Sequence, residues 1–518
     1  MSEFDVRYRD LRQMLEQVAA EKPDYPYLWF YDDVVTYRDL DGQVNQFAAA
    51  LSELGAGRGD IVYVYMGNSA RTMVACLAAA KLGAVAGPIN ILWQAPEISY
   101  LLNDSRGRFL VCDPPFAPMV DQLRGSCPSL EVVIENAPEP AAGNLSMDAL
   151  MDAQKPDKAP PADIDPDDVA FLYYTSGTTG NPKGTLLTHK GILWCIEGLK
   201  QCMEKGTDEE PVMLVFLPLF HVNAMMSMIS VIYRGISATL RVGFSPAEFG
   251  EVVERYKPSF FSAVPAVYNI LLQTKDEQMK HDLSSLKYCI CGAAPMPVAL
   301  FEEFEKVFGI SIIEGYGLTE GTVASTMNPR DGVRKIGSIG KALPGQEVRI
   351  MDEDGNLLLP GQVGEIVIRA PSVMKGYLGK PAETEEALAG GWLHTGDMGR
   401  VDEDGYFFIV DRKKDMYIRG GENVYPVEVE GALFAHPQIA DAAVIGVPDE
   451  VMGEEGKAFI VPRAGEQLDL EDVRAFCQKN LAKFKIPKYF EVVDSLPKNV
   501  IGKTLRKKLR EIEESKRT

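Results

Sequence analysis

The twelve residues from Tyr173 to Gly184 concentrate residue types that bind phosphate in proteins. They include three glycines, four Ser or Thr hydroxyls and one lysine. Glycines let backbone N–H groups turn toward an anion, hydroxyls add hydrogen-bond donors, and Lys183 adds a positive charge. The segment is not a Walker A loop, because it lacks the Gly-Lys-Ser/Thr ending and places Pro182 before the lysine. We therefore predict a cradle for a polyphosphate, with an ordinary turn between two strands as the alternative.

Further segments of the chain place small residues around one or two polar ones. Such segments let a ligand approach the backbone closely while polar side chains supply specific contacts. In chain order they are Gly292–Pro295, Ser311–Glu320, Gly391–Asp397, Arg419–Pro426 and Pro497–Lys503.

The elements that must position these segments predict an α/β fold. The apolar run Val169–Tyr174 predicts a strand that leads into the cradle. Thr36 and Asp39 form a capping-box pattern that begins a helix with apolar residues at helical spacing. Alternating signals follow for a strand, a helix and a strand over Ile61–Tyr65, Ala70–Leu82 and Ala84–Pro88. This alternation is typical of a parallel α/β layer.

Changes in composition suggest how the chain is divided. Residues 134–168, rich in Pro, Ala and Asp, are expected to form a surface excursion. The all-charged run Asp411–Asp415 indicates a boundary before a small α+β domain of roughly one hundred residues. Its expected elements are a helix from Pro426, strands near Ala442–Val447, Ala458–Val461 and Tyr489–Val493, and a helix near Leu470–Leu481. We expect an N-terminal domain over 1–411, a hinge over 412–414 and a C-terminal domain over 415–518.

The composition excludes several classes of protein. A formal charge of −21 argues against nucleic acid or an anionic membrane as a partner. The 8 cysteines and 5 histidines show no metal-ligand spacing, so neither structural zinc nor a disulfide scaffold is expected. The uncharged stretch 211–233 is long enough to span a membrane, but Pro218, His221 and Asn223 favour two buried elements joined by a turn. The acidic N-terminus lacks a signal-peptide core, and a cytoplasmic protein is expected.

Taken in order, these segments resemble those of the adenylate-forming (acyl-activating) superfamily. This superfamily includes acyl-CoA synthetases, firefly luciferase and peptide-synthetase adenylation domains, and the matching motifs run from Tyr174 to Lys503. The resemblance implies a large N-terminal domain of layered α/β subdomains and a small mobile α+β C-terminal domain. It also implies two steps: a carboxylate attacks the α-phosphate of Mg-ATP to give acyl-AMP and pyrophosphate, and a thiol then captures the acyl group after the C-terminal domain turns about a hinge.

The resemblance also assigns the phosphate and metal contacts. Thr319 would contact the α-phosphate, and Glu320 would bind Mg²⁺, since a carboxylate beside a triphosphate needs a hard cation between them. A carboxylate that merely begins a helix after a glycine turn is the alternative for Glu320. The cradle would hold the β- and γ-phosphates through Thr175, Ser176, Gly177, Thr178, Thr179 and Lys183.

Adenosine contacts follow from the same resemblance. Tyr316 matches the residue that stacks on adenine, although a core tyrosine is the alternative. Asp397 would accept the ribose hydroxyls and Arg412 would assist at the ribose or phosphate, whereas an isolated Asp or Arg would simply be solvated. The remaining residues implied around the adenine are Glu314 and Gly315 beside the tyrosine, and Gly292, Ala293 and Ala294 on the opposite wall.

The C-terminal domain would supply the moving parts. Lys503 resembles the catalytic lysine that bridges the carboxylate and the α-phosphate and then leaves the site, with a solvated loop lysine as the alternative. Ile501 departs from the family pattern, which often has a small or hydroxyl residue there. Lys414 matches the hinge position, and Gly420 and Gly421 match the loop that lines the pantetheine tunnel.

The acyl site is implied around His221, which resembles the ring that gates it. A buried histidine with a satisfied hydrogen bond is the alternative. The segment carries no cation that would hold a dicarboxylate, so a fatty, alicyclic or aryl acid is expected. The nearby apolar residues Val222, Met225, Met226 and Met228 either line an acyl pocket or belong to the core.

The sequence therefore predicts an ATP-dependent carboxylate–CoA ligase that uses ATP, Mg²⁺, coenzyme A and a small carboxylic acid. A peptide-synthetase adenylation domain would have an aspartate soon after Phe220, and none is present. A stand-alone acyl-AMP ligase that loads a carrier protein is the nearest alternative. Luciferase-type oxygenation and a non-catalytic nucleotide-binding protein are the others, and a homodimer is left open as the assembly.

Overall fold

The structure is a computed structural model that describes residues 5–175, 182–203, 211–294, 296–412, 415–420, 422–449, 451–463, 465–498 and 504–516, without the side chains of Arg412 and Asn423. The described helices are α1 (Leu11–Glu21), α2 (Tyr37–Glu53), α3 (Ala70–Lys81), α4 (Ala95–Ser105), α5 (Ala117–Leu123), α6 (Met147–Asp152), α7 (His189–Met203), α8 (Val222–Arg234), α9 (Pro246–Tyr256), α10 (Pro265–Gln273), α11 (Lys275–Gln278), α12 (Val298–Phe308), α13 (Pro381–Ala387), α14 (Pro426–Phe434), α15 (Leu470–Asn480) and α16 (Arg506–Ser515). Short 3₁₀ turns lie at Pro114–Phe116, Thr319–Gly321, Ala389–Gly391 and Lys483–Lys485.

The strands of the described residues form four sheets. The first twelve strands are β1 (Pro26–Phe30), β2 (Asp33–Thr36), β3 (Ile61–Tyr65), β4 (Val85–Pro88), β5 (Phe109–Cys112), β6 (Val132–Glu135), β7 (Leu145–Ser146), β8 (Val169–Thr175), β9 (Lys183–Thr188), β10 (Val212–Val215), β11 (Ser237–Leu240) and β12 (Phe260–Ala263). The others are β13 (Tyr288–Cys291), β14 (Ser311–Tyr316), β15 (Thr326–Met327), β16 (Lys341–Ala342), β17 (Glu347–Met351), β18 (Gly364–Arg369), β19 (Gly376–Tyr377), β20 (Leu393–Val401), β21 (Phe407–Arg412), β22 (Tyr417–Arg419), β23 (Glu422–Val424), β24 (Ile439–Asp449), β25 (Gly453–Pro462) and β26 (Tyr489–Val492).

The two largest sheets build a layered α/β body. One has the order β16-β15-β14-β13-β12-β10-β11-β1-β2, and the other has the order β19-β9-β8-β4-β3-β5-β6-β7. Their central strands pair in parallel, as between β13 and β14 or β3 and β4. One apolar core between the two sheets contains residues of α2, α3, α7 and α8. Helices α9, α10 and α12 cover the far face of the first sheet, and α4 and α5 cover that of the second.

Two smaller sheets complete the fold. Strands β17, β18, β20 and β21 form an antiparallel sheet that ends at Arg412. The strands after it form a separate sheet of order β23-β22-β25-β24, with β26 paired to β25. Helices α14 and α15 pack on one face of this C-terminal sheet, and α16 packs on the other. The α/β class, with a large N-terminal part and a small α+β C-terminal part, is confirmed; the division at residues 411–415 stays a prediction.

Local signals placed many of these elements well. Thr36 accepts a hydrogen bond from the Asp39 backbone, and the Asp39 carboxylate accepts one from Thr36, so the capping box starts α2 as expected. The uncharged stretch divides into β10 and α8, joined by the turn that contains Pro218. The expected surface excursion at 134–168 is partly wrong, because α6 within it has buried residues. Ser146 caps α6, and Met147 and Met151 anchor the helix in the core.

Among the described residues, no helix has both the length and the apolar character that crossing a bilayer requires.

Candidate active site

A cavity of about 760 Å³ lies where the predicted segments meet. Its wall includes the end of β8, the start of β9, the carboxyl ends of β13 and β14, and one side of α8 along its length. Ligands of open α/β sheets bind at the carboxyl ends of the parallel strands, so the position suits a nucleotide. The predicted site residues found in the wall are Thr175, Lys183, His221, Gly292, Ala293, Gly315, Tyr316, Thr319 and Glu320.

Other predicted residues do not form part of this wall or cannot be placed. Glu314, Ala294, Asp397 and Gly420 are described but do not line the cavity. The backbone N–H of Gly420 donates to the Met452 carbonyl at 2.9 Å, in the turn that follows β22. Outside the described residues lie Ser176, Gly177, Thr178, Thr179, Lys414, Gly421 and Lys503, together with the side chain of Arg412.

The ends of the glycine-rich segment face the cavity together. Thr175 and Lys183 are direct partners across the antiparallel pair β8 and β9. The Lys183 ammonium lies 5.0 Å from the ring centroid of Tyr377, a cavity residue contributed by β19. A positive charge is thereby held over an aromatic face at the edge of the cavity, where it can meet an anion.

Tyr377 also forms a hydrogen bond with Glu320, the predicted metal ligand. Its hydroxyl donates to Glu320 Oε1 at 3.0 Å, and both side chains line the cavity. Burial, with the Glu320 charge as a second cause, raises the pKa of Tyr377 well above its usual value, so the phenol keeps its proton and remains a donor. Tyr377 was missed in the sequence because a Gly-Tyr pair has no distinctive spacing. Only the antiparallel pairing of β19 with β9 brings it to Glu320 and Lys183.

Tyr316 and Asp397 are linked directly. The Tyr316 hydroxyl donates to Asp397 Oδ2 at 2.6 Å, and both residues are buried. Asp397 therefore lies one hydrogen bond behind the tyrosine rather than in the cavity wall itself. Thr395, two residues before it, does line the cavity. The predicted adenine and ribose residues thus form one hydrogen-bonded pair.

Close backbone packing fixes the glycine turns around this pair. A Cβ at Gly317 would lie 2.1 Å from the Val323 carbonyl oxygen, so only glycine fits. Ala293, in the segment after β13, has a positive φ of 68°. Thr322 and Val323, just after Glu320, have φ values of 64° and 108°, an uncommon conformation for residues with side chains. Such strain is typical of positions that must present a ligand-binding loop.

Glu314 is different from its neighbours in β14. Its side chain is buried beneath the sheet, and burial raises its pKa to about 8. The carboxyl group is therefore largely protonated near neutral pH and does not contribute a charge to the cavity.

His221 also lines the cavity and forms the N-cap of α8. Burial lowers its pKa to about 4, so the imidazole is neutral at physiological pH. Its Nε2 has no hydrogen-bond partner among the described residues. The alternative of a histidine with every ring nitrogen satisfied is therefore not met among the described residues, and the gating role of His221 stays a prediction.

Helix α8 presents a mixed face to the cavity. The two alternatives for its apolar residues both occur: Val222 and Met226 line the cavity, whereas Met225 and Met228 are fully buried in the core because helical periodicity turns them away. A second row of cavity residues consists of Asn223, Ser227, Ser230 and Arg234. Its spacing of four, three and four residues is visible in the sequence and indicates one face of a helix.

The expected pocket segment carries no cation, but two cations from outside it also line the cavity. They are Arg234 at the end of α8 and Lys200 on α7. Apolar residues that also line the cavity include Phe220, Val264, Ile290, Val323 and Met327.

The C-terminal part of the chain also reaches the cavity. Leu505 lines it, and its backbone N–H donates to the Pro497 carbonyl at 2.7 Å. Lys498 and Thr504 pair as an isolated bridge, so the residues on both sides of 499–503 are held close together. Just after Leu505, Arg506 donates to Glu430 and Asp415, which fixes the start of α16.

The chain is similar to known proteins over almost its whole length. The family model described as AMP-binding enzyme matches residues 15–378, and that of the AMP-binding enzyme C-terminal domain matches residues 428–503. A long-chain-fatty-acid–CoA ligase of Bacillus subtilis is 35% identical and covers 99% of this chain and 96% of its own. A feruloyl-CoA synthase of an Amycolatopsis species is 37% identical, covering 92% and 93%.

Among solved structures, the anthranilate CoA ligase AuaEII in complex with anthranoyl-AMP superposes with a TM-score of 0.89. It is 31% identical and covers 99% of this chain and 98% of its own.

Proposed function

The chain belongs to the AMP-binding enzyme family as an AMP-forming acyl-CoA synthetase, and we propose that it joins a carboxylic acid with a hydrophobic body to coenzyme A through an acyl-AMP intermediate. The observation that carries this proposal is one continuous cavity. Lys183, Glu320 and Tyr316 line it together with one side of α8 and apolar residues such as Phe220. ATP and the acid would therefore bind in the same cavity.

The first step needs two anions to be brought together, because a carboxylate must attack a phosphate. The Lys183 charge and the Thr175 hydroxyl would hold the pyrophosphate leaving group, and Thr319 would donate to the α-phosphate. Glu320 fits a Mg²⁺ site, since its carboxylate faces the cavity and is oriented by Tyr377. When bound there, Mg²⁺ would neutralise charge on the phosphates.

Two cavity rings would position the organic parts of the substrates. Tyr316 would stack on the adenine against Gly292 and Ala293, with its hydroxyl holding Asp397 toward the ribose. His221, neutral because its pKa is low, would border the acid without adding a charge that traps the carboxylate.

The second step would use the C-terminal domain. We propose that Lys503 enters beside Leu505 during adenylation and is withdrawn for thioester formation, with Lys414 as the hinge. Leu505 in the cavity wall supports this proposal, because a residue two positions from the lysine already touches the site. Coenzyme A is preferred to a carrier protein as the acceptor because the relatives that match along the chain are named as CoA ligases.

The half-reactions separate these roles. Lys503→Ala should abolish formation of acyl-AMP from acid and ATP but retain CoA transfer to acyl-AMP that is supplied. Mass spectrometry of acyl-AMP and acyl-CoA would measure both half-reactions, with Lys498→Ala as a control on the same loop. An equal loss in both half-reactions would contradict the domain exchange.

A further inference from the structure

Arg241 lies outside the active-site cavity and is a buried cation without an acidic partner. It directly follows β11, and only 5% of its surface is exposed. Its Nε and Nη1 atoms are buried and have no hydrogen-bond partner among the described residues. No carboxylate of the described chain forms an ion pair with its guanidinium. Because arginine stays protonated in proteins and an unpaired buried charge is costly, this side chain favours an anion beside it.

Two tyrosine rings hold the guanidinium in place. The centroids of the Tyr31 and Tyr256 rings each lie 4.6 Å from Arg241 Cζ. The Tyr256 hydroxyl donates to the Tyr31 carbonyl at 2.5 Å, which joins the turn after β1 to the end of α9. Tyr31 has a positive φ of 54°, an uncommon conformation for a residue with a side chain. The rings attract the cation, but they provide no negative charge that would neutralise it.

The Arg241 side chain lines a small cavity at the N-terminus of α9. The cavity has a volume of about 10 Å³. Within the described chain it has no lining residue in common with the active-site cavity. Much of its wall is apolar and includes Phe216, Phe244 and Phe249. A charge placed in such a wall is poorly screened by solvent, so the guanidinium acts strongly on whatever occupies the cavity.

Hydrogen-bond donors surround the rest of the cavity. Ser245 lines it and is the N-cap of α9, yet its side chain makes no capping hydrogen bond. Over residues 211–294 of the structure, neither the Ser245 hydroxyl nor the backbone N–H groups of Gly243 and Ser245 donate to a protein group. Helix α9 is 11 residues long, and the positive end of its dipole lies here. These groups together would stabilise an anion.

Glu248 is the acidic residue of the cavity wall, and it does not neutralise Arg241. The residue is exposed, and its carboxylate makes no ion pair with another described residue. It lies in the first turn of α9, where a carboxylate interacts favourably with the helix dipole. Its charge would weaken the binding of an anion nearby, so replacing it with glutamine should strengthen that binding.

The size of the cavity limits the ligand. A volume of about 10 Å³ holds about one water-sized sphere. A chloride ion is close to a water molecule in size, whereas phosphate and sulfate each carry four oxygens and are too large. A halide also accepts hydrogen bonds from all sides and donates none, which matches a guanidinium, a hydroxyl and backbone N–H groups.

We propose that Arg241 and the N-terminus of α9 form a binding site for a halide ion, and that bound chloride stabilises this part of the fold. The inference does not depend on the proposed acyl-CoA synthetase function. Asn68 connects the site to the active-site cavity, because its side-chain amide donates to the carbonyls of Arg241 and Leu217 at 2.9 Å each. Leu217 lines the active-site cavity. Bound chloride would therefore also hold the segment after β11 against the turn that precedes α8.

The test measures the melting temperature of the purified protein in sodium chloride, bromide and gluconate at one ionic strength. Gluconate is too large for the cavity and therefore controls for screening. Wild type should melt at least about 2 °C higher in about 200 mM chloride or bromide than in gluconate. R241M removes the guanidinium and should lose this difference, and E248Q should reach half of the effect at a lower chloride concentration. R255M is the matched control, because Arg255 also lies against the Tyr256 ring but does not line the cavity, and it should keep the difference.

The outcomes decide the proposal in either direction. Equal melting temperatures of wild type in the three salts would overturn it. The same chloride effect in wild type and R241M would also overturn it, since the ion would then act elsewhere on the protein. If R241M does not fold, wild-type crystals soaked in sodium bromide would be measured at the bromine absorption edge. An anomalous peak beside the Arg241 guanidinium would support the site, and no peak there would contradict it.

Discussion

Tyr377 gives the sharpest prediction about the phosphate end of the cavity. Tyr377→Phe keeps the ring beneath Lys183 and removes only the hydroxyl that donates to Glu320 Oε1 at 3.0 Å. Hydrogen bonds to charged groups contribute about 1.5–3 kcal/mol. If Glu320 must be oriented to bind Mg²⁺, the variant should lose about tenfold to a hundredfold in kcat/KM for adenylation.

The assay is pyrophosphate exchange or AMP formation, titrated with Mg²⁺. Tyr377→Phe should require more Mg²⁺ for half-maximal activity and should keep its melting temperature to within a few degrees. Tyr37→Phe is the control, because the Tyr37 hydroxyl donates to the buried Ile236 carbonyl at 2.6 Å but does not reach the cavity. It should lower stability and leave the Mg²⁺ requirement unchanged.

A double-mutant cycle decides whether Tyr377 acts through Glu320. In a Glu320→Gln background, Tyr377→Phe should cost less than threefold, because the carboxylate that it orients is already gone. Full additivity of the two losses would refute the reasoning, since the hydroxyl would then be acting on something other than Glu320.

Two further predictions concern β14 and the turn that follows it. Gly317→Ala should abolish adenylation, because the new Cβ would lie 2.1 Å from the Val323 carbonyl oxygen and displace the loop that carries Glu320; activity equal to wild type would show that the loop is not fixed. The pKa of Glu314 is about 8 in the folded chain, above its ordinary value of 4.5, so the folded chain keeps a proton that the unfolded chain loses. The contribution of Glu314 to the free energy of unfolding therefore falls as pH rises from about 4.5 to about 8. Denaturant unfolding should therefore show Glu314→Gln gaining a few kcal/mol on wild type between pH 5 and pH 8, and a pH-independent difference would contradict the buried, protonated carboxyl.

The sequence predicted helices and strands well where interactions between residues close in the chain determine them. The capping box of α2 is confirmed because its two hydrogen bonds involve residues three positions apart. Strand β3 spans Ile61–Tyr65 as expected, and α15 ends one residue earlier than expected. The C-terminal elements were found for the same reason, since each has its own apolar period and its own cap or break.

The parts that were missed depend on tertiary contacts. Tyr377 meets Glu320 only because β19 pairs with β9, and nothing near Tyr377 in the sequence signals that pairing. The sequence left open which apolar residues of α8 line the cavity, because residue type alone does not show which face of a helix turns toward a ligand. Met225 and Met228 are core residues, whereas Arg234, more than three turns from the N-terminus of the helix, faces the cavity.

The measurement that tests the account most directly is the product balance of one reaction. The enzyme would be incubated with ATP, Mg²⁺, coenzyme A and a panel of mono- and dicarboxylic acids, and all nucleotide and acyl products would be quantified. We predict equal amounts of AMP, pyrophosphate and acyl-CoA over many turnovers, and none without acid. Release of ADP, or acyl-AMP that persists while coenzyme A is present, would contradict the assignment of this cavity to acyl-CoA synthesis.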